Sequence, residues 1–164
     1  MCGYKPEIFI LDIDGVMTDG AFYYSIDGKI MKKFGPDDHD ALKILSKYMK
    51  IQFITSDTKG YNITKKRIEE DMDMALACVD ARERDKWILS NFDPETVIYM
   101  GDGFWDSIVM KKVKYSIAPF NSHKYTKRCA SYVTKCCGCN RAVAEASFHI
   151  LKKFFHMDIK DLLS

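Results

Sequence analysis

Short apolar runs alternate along this chain with longer amphipathic stretches. The runs at 8–11, 51–55, 74–78 and 96–100 have the length and apolar content of buried strands. Between them the spacing changes from continuous to helical. Over 40–49, Ala41, Leu42, Leu45 and Met49 fall on one face, and over 62–72, Ile63, Arg67, Ile68 and Met72 recur at helical spacing with Lys and Glu outward. Further helices are predicted over 85–92 and 104–113, and a long one over 141–155 closes the pattern. Strands alternating with helices build βαβ units, so the pattern predicts a doubly wound, Rossmann-like α/β fold on a mainly parallel sheet. One segment departs from it. Two strand-like runs at 21–25 and 29–34 flank Ile26-Asp27-Gly28, and an Asp-Gly step between such runs predicts a β-hairpin flap directly after the first strand. No repeat, low-complexity stretch or linker interrupts the pattern, and residues 1–164 read as a single domain.

Composition narrows the partners. The 25 basic and 23 acidic residues leave a formal net charge of +2, which provides no global field for nucleic acid or an anionic membrane. The longest early apolar run, Ile8-Phe9-Ile10-Leu11, is far short of the roughly 20 residues that span a bilayer. Six cysteines (Cys2, Cys78, Cys129, Cys136, Cys137 and Cys139) stand in a chain too long to need disulfide staples, and with no signal peptide in view the expectation is a cytoplasmic protein with reduced thiols. The tight Cys136-Cys137-x-Cys139 spacing lacks the two separated hooks of a zinc site. His123, His149 and His156 read as surface or packing residues, and the basic clusters at 111–114 and 124–128 as solvated faces.

The chemistry concentrates at strand ends. The first strand runs into Asp12-Ile13-Asp14-Gly15, two acids one residue apart. In open α/β sheets ligands bind beyond the carboxyl ends of the strands, where this pair would sit. Carboxylates so close repel unless a cation joins them, which implies a hard divalent ion; one acid is then free to act as nucleophile and the other to handle a proton. An acidic turn capping a helix or hairpin is the plainer reading of that string alone. The fourth predicted strand repeats the arrangement, ending in Gly101-Asp102-Gly103 with Asp106 one helical turn on. Thr55 ends another strand in a hydroxyl, and Lys86 opens a predicted helix with an ammonium. A hydroxyl and a cation at those positions suit a phosphoryl group, whose oxygens must be neutralised during transfer.

These four motifs, in this order, resemble those of the haloacid dehalogenase superfamily of phosphotransferases. The closer similarity is to its capless, KDO-8-phosphate-phosphatase-like branch, which carries Asp-x-Asp-Gly-(Val/Cys)-x-Thr-(Asp/Asn)-Gly followed by a hairpin; residues 12–20 match throughout. The resemblance covers about residues 6–155 and extends to the C-terminal domain of vertebrate CMP-sialic acid synthetases, through 132–136 and 142–145. It implies an Mg²⁺-dependent phosphatase for a phosphorylated 2-keto-3-deoxy sugar acid of eight or nine carbons, assembled as a homotetramer whose hairpins cover neighbouring sites. Asp12 then matches the nucleophile and Asp14 the general acid/base, whose main-chain carbonyl also binds the metal. Asp102 matches the acidic Mg²⁺ ligand, with Asp106 supporting it from behind. Thr55 matches the phosphate-binding hydroxyl and Lys86 the phosphate-binding cation, with Arg82 and Arg84 as neighbouring alternatives because 80–85 is slightly long against the family. A phosphatase for another small sugar phosphate, or a silent assembly domain beside a sugar-acid cytidylyltransferase, are the rival readings.

Several positions depart from the family pattern. Gly103 replaces a second acid, Ser56-Asp57 follow Thr55 where the family has Gly and then often Arg, and Asp38-His39 replace Asp-Gly. The family's Gly-Gly-Arg-Gly tail becomes Gly138-Cys139-Asn140-Arg141. Asp57, His39 and Arg141 are therefore the expected specificity residues, with Arg141 standing in for the missing cation; capping of a helix that starts near Gly60 is the plainer reading of Asp57.

Overall fold

Strand β1 (Ile8–Asp12) is buried at every position because it lies in the middle of a sheet covered on both faces. In the computed structural model, which describes residues 5–162, that sheet has six strands in the order β5-β4-β1-β6-β7-β8. The partners are β4 (Lys50–Thr55), β5 (Ala75–Cys78), β6 (Val97–Met100), β7 (Tyr115–Ala118) and β8 (Tyr132–Val133), and every pairing is parallel. Alternate residues serve alternate faces. Phe9 and Leu11 join Phe53, Ile98 and Met100 in one core, closed by α1 (Asp38–Leu45) and α6 (Ala142–Phe155). Ile8 and Ile10 join Ile54, Val97 and Tyr99 in the other, closed by α3 (Arg84–Asn91) and α4 (Asp106–Met110). From β1 the chain winds out to β4 and β5, then returns across β1 to β6, β7 and β8. The reversal opens a crevice at the carboxyl ends of β4, β1 and β6.

The predicted α/β architecture is therefore present, with shifted bounds and additions. The helix expected over 62–72 is a short α2 (Tyr61–Lys65) that loosens into a π-helical turn over Lys66–Asp71. The helix expected over 104–113 is regular only as α4. Strand β7 was hidden because Ser116 splits its apolar run, and β8 is two residues long. The basic cluster at 124–128 lies in α5 (Lys124–Cys129), and a last turn, α7 (Ile159–Leu162), follows α6. The hairpin forms from β2 (Tyr23–Ser25) and β3 (Gly28–Met31) as a separate two-stranded sheet. Gly28 sits at φ +119°, pairing with Ser25 across a two-residue turn. The hairpin leaves Phe22, Tyr24, Ile26, Ile30 and Met31 exposed. Between β1 and β4 the chain contains this hairpin and α1 and no inserted domain. All described cysteines are free, and Cys2 lies outside the described residues. No helix among the described residues is long and apolar enough to cross a membrane.

Helices α1 and α6 are tied by a buried carboxylate. Asp38 Oδ1 accepts the Ala144 N–H at 2.8 Å, satisfying one of the free amides at the start of α6, while Oδ2 has no partner. Burial pushes this carboxyl up to about 6, against the pull of the α6 amides. A raised carboxylate opposes folding once ionised, so its contribution falls as pH rises through the range between the unfolded value and about 6. Asp38→Asn keeps the acceptor and removes the charge. Its stability relative to the parent should improve by about 2 kcal/mol between pH 4 and pH 8, read by thermal melts of both proteins. A constant difference across that range would refute the assignment.

Candidate active site

Register brings the strand ends together. Asp12 pairs with Ile54 on β4, and Leu11 pairs with Met100 on β6, so Thr55 and Asp102 emerge beside Asp12 at one edge. Carboxylate oxygens of Asp12, Asp102 and Asp106 all lie within 4.8 Å of one another. Among the described residues this is the group of three or more acidic, His or Cys side chains arranged to hold a metal. Gly15 makes the approach possible. It sits at φ +89°, and a Cβ there would fall 2.0 Å from Asp102 Oδ2.

Each carboxylate is oriented by its own donors. Asp12 Oδ1 accepts the Ile13 N–H (2.7 Å) and Arg84 Nη2 (3.0 Å), while Oδ2 faces Arg84 Nη1 at 2.9 Å. Asp106 Oδ2 accepts the N–H groups of Asp102 (3.0 Å) and Gly103 (2.8 Å). Its Oδ1 takes the Tyr99 hydroxyl and Arg84 Nη1, both at 2.5 Å. Asp106 is thus saturated by protein donors and braces the Asp102 loop from behind. Burial pushes the Asp12 carboxyl up to about 7, with Arg84 opposing and Asp106 adding to the rise. Burial, then the charges of Asp12 and Asp106, pushes Asp102 up to about 8. Crowded, desolvated oxygen ligands of this kind suit a hard divalent cation, whose charge offsets the repulsion.

The phosphate-binding cation expected at Lys86 is a correction. Lys86 is exposed and donates to Glu83 at 2.8 and 3.0 Å, whereas Arg84 is buried against Asp12. The reason is helical geometry: α3 begins at Arg84, and residues two apart on a helix point about 200° apart, so both cannot face the crevice. The extra length of 80–85 places an arginine where the lysine was expected.

Asp14 and its surroundings hold the residue that sequence reasoning missed. Asp14 Oδ2 accepts Lys32 Nζ at 2.8 Å, and the same ammonium reaches Thr64 Oγ1 at 2.9 Å and Asp57 Oδ2 at 2.8 Å. Lys32 follows the hairpin and is buried; its only signal in the sequence was the excess of strand-end acids that some cation had to balance. Thr55, fully buried, accepts the Asp57 N–H at 3.1 Å. Burial pushes the Asp57 carboxyl up, but hydrogen bonds from Lys29 and Lys32 prevail and hold it at about 2.

The other two specificity candidates are placed differently from expectation. His39 leaves the first turn of α1 among Lys43, Arg67 and the Met72 main chain, with no site aspartate among these neighbours. Arg141 Nε donates to Asp37 at 2.5 Å on the surface. Its loop nevertheless touches the turn after β1: Cys139 N–H donates to the Val16 carbonyl at 3.2 Å, and a Cβ on Gly138 would meet the Gly15 carbonyl at 2.0 Å.

A parallel sheet reversing at β1, with paired aspartates on β1, a hydroxyl on β4 and an acid beyond β6, defines a phosphatase domain of the haloacid dehalogenase class. No protein-family model matches the chain. The 3-deoxy-D-manno-octulosonate 8-phosphate phosphatase KdsC of Escherichia coli K12 is 31% identical over 150 residues, covering 85% of this chain and 76% of that protein. The solved 3-deoxy-D-manno-octulosonate 8-phosphate phosphatase of Yersinia pestis superposes with a TM-score of 0.79 at 25% identity, over 93% of this chain and 84% of that one. The Moraxella catarrhalis protein of the same name, solved with magnesium, phosphate and KDO, gives a TM-score of 0.81 at 20% identity, covering 97% and 94%. The chain belongs to the haloacid dehalogenase superfamily, in its capless, KDO-8-phosphate-phosphatase-like branch.

The close approach at Gly15 is testable without substrate. A ligand that binds only the folded state raises its melting temperature. Millimolar Mg²⁺ should stabilise the parent, and Gly15→Ala, which displaces Asp102, should weaken that Mg²⁺ response by about tenfold or more in half-maximal concentration. An unchanged response would show that Asp102 does not hold the ion.

Proposed function

We propose that this protein is an Mg²⁺-dependent phosphoric monoester hydrolase acting on a phosphorylated 2-keto-3-deoxy sugar acid, of the KDO-8-phosphate or nine-carbon N-acylneuraminate-9-phosphate type. The observation that carries the reading is the Asp12 carboxylate, held by Arg84 on both oxygens within 4.8 Å of Asp102. The relatives named for KDO-8-phosphate support the sugar-acid class. Asp12, the Asp14 carbonyl and Asp102 would hold Mg²⁺, which when bound neutralises phosphoryl oxygens and the crowded carboxylates.

Asp12 attacks phosphorus with a carboxylate oxygen, forming a P–O bond as the ester P–O bond breaks. The departing alkoxide takes a proton from Asp14, which stands two residues on with its side chain turned to Lys32. Water then adds to phosphorus, giving its proton back to Asp14, and the Asp12–phosphorus bond breaks to release inorganic phosphate. Through both steps Arg84 keeps the Asp12 carboxylate in place, and the Thr55 hydroxyl and Arg84 face the phosphoryl oxygens. A silent scaffold would have no use for Asp12, Asp102, Asp106 and Arg84 held in mutual register. The exposed apolar ridge of the hairpin supports a homotetramer in which hairpins of neighbouring subunits pack together near the sites.

Phosphate release from sugar-acid phosphates with Mg²⁺ tests the reading directly. Asp12→Asn should lower kcat/KM by about 10³-fold or more, and Arg84→Ala by about 10²-fold, through loss of positioned charge. Lys86→Ala should stay within about twofold of the parent, because an exposed i,i+3 pair with Glu83 contributes little. Equal losses in the Arg84 and Lys86 variants would return the role to Lys86. Light scattering should give four subunits; a fully active monomer would exclude the assembly.

A further inference from the structure

Away from the metal-binding carboxylates, the densest buried charge joins the hairpin to the loop after β4. Lys29 Nζ lies 2.5 Å from Asp57 Oδ2, and Lys32 Nζ lies 2.8 Å from the same oxygen. The lysine side chains are 3% and 1% exposed, and that of Asp57 is 14% exposed. Asp57 is itself fixed from the sheet side, its Oδ1 accepting the Gly60 N–H at 3.0 Å. Gly60 also leaves room for the lysine stems: a Cβ there would lie 2.8 Å from both Lys29 Cδ and Lys32 Cε.

Among the described residues the two strands of the hairpin pair only with each other; one bridge, Thr18 to Phe34, joins its base to the turn after β1, and the Tyr23 hydroxyl donates to Asp19 Oδ2 at 3.1 Å. An ammonium has three protons to donate. Those of Lys32 meet three oxygens, on Asp14, Asp57 and Thr64, so its position is fully determined. Without Asp57, one proton is unpartnered and two buried cations face each other without their shared anion, an arrangement that low-dielectric surroundings strongly disfavour.

We propose that Asp57 is a positioning residue that latches the hairpin through Lys29 and Lys32 and thereby fixes Lys32 against Asp14. The cation beside the proton-transferring group is thus delivered by the hairpin, and its placement depends on a side chain that touches none of the reacting atoms. The catalytic consequence rests on the phosphatase reading; the latch does not. Lys29 serves only the tether, holding Asp57 on one side with its ammonium 4.1 Å from the centre of the Phe22 ring.

Two measurements separate these parts. Amide hydrogen exchange over residues 23–31 reads the latch in the intact protein, with melts confirming that each variant is folded. Asp57→Asn, Asp57→Lys and Lys29→Glu should each speed exchange there by tenfold or more. The double variant Lys29→Glu with Asp57→Lys keeps the same charges with the anion moved to the hairpin, and exchange should return to within threefold of the parent. A double variant no slower than its faster single, or an Asp57→Asn hairpin that exchanges like the parent, overturns the latch.

The second measurement is kcat/KM for a sugar phosphate and for p-nitrophenyl phosphate, whose leaving oxygen departs without needing a proton. Asp57→Asn should lower the first by at least tenfold more than the second, because only the first draws on Asp14 before phosphate transfer is complete. Equal losses on both substrates would overturn the link from Asp57 to Asp14. A parent protein inactive on every phosphate ester with Mg²⁺ would defeat the phosphatase reading, while the exchange data would still decide the latch.

Discussion

The carboxylates of Asp12, Asp102 and Asp106 are gathered, largely buried, at one edge of a sheet, and the molecule is arranged around the repulsion this creates. Placed alone, such a group would favour protonation or local opening. The chain answers with cations drawn from separate elements. Arg84 arrives from the start of α3 and lies between Asp12 and Asp106. Lys32 arrives from the far side of the hairpin to meet Asp14. Backbone amides at 102 and 103 complete the set. The remaining raised carboxyls, on Asp12 and Asp102, are those a divalent ion would serve.

Parallel topology is what makes this concentration possible. Because β1, β4 and β6 run the same way and are paired in register, the residue after each apolar run emerges at the same edge. Each strand can then contribute one functional group without disturbing the ladder, and the two cores beneath hold that edge rigid. Glycines at 15 and 101 are needed where side chains fold back on the turns: a Cβ on Gly101 would meet Asp106 Cγ at 2.5 Å. The site is thus constrained as much by the absence of side chains as by their presence.

The strands and the acids were readable because both are local signals. A continuous apolar run such as Ile8–Asp12 can be buried in only a few ways, and an aspartate at its end must sit at the sheet edge. The cations were harder to read. Choosing between Arg84 and Lys86 requires knowing where α3 begins, and a shift of two residues turns one side chain from the crevice to solvent. Lys32 is harder still, since a lysine near an exposed hairpin ordinarily reads as a solvated charge; only the docking of the hairpin on the Asp57 loop makes it internal. For His39 and Arg141 the family pattern gives a position in the chain but does not fix where the side chain turns.

The ammonium of Lys32 also says something about how the molecule comes together. Its partners on Asp14 and Thr64 are 18 and 32 residues away in the chain, one on the turn after β1 and the other in α2. The parallel strand pairs, such as Ile8 with Lys50 and Ile8 with Val97, span more of the chain than either contact, and they position the β1 end of this arrangement without using the ammonium. The sheet and its two cores do not depend on the hairpin's position, whereas the charge arrangement around Asp14 exists only while the hairpin is docked. A molecule whose hairpin has lifted away would therefore keep a nearly complete scaffold without a finished site.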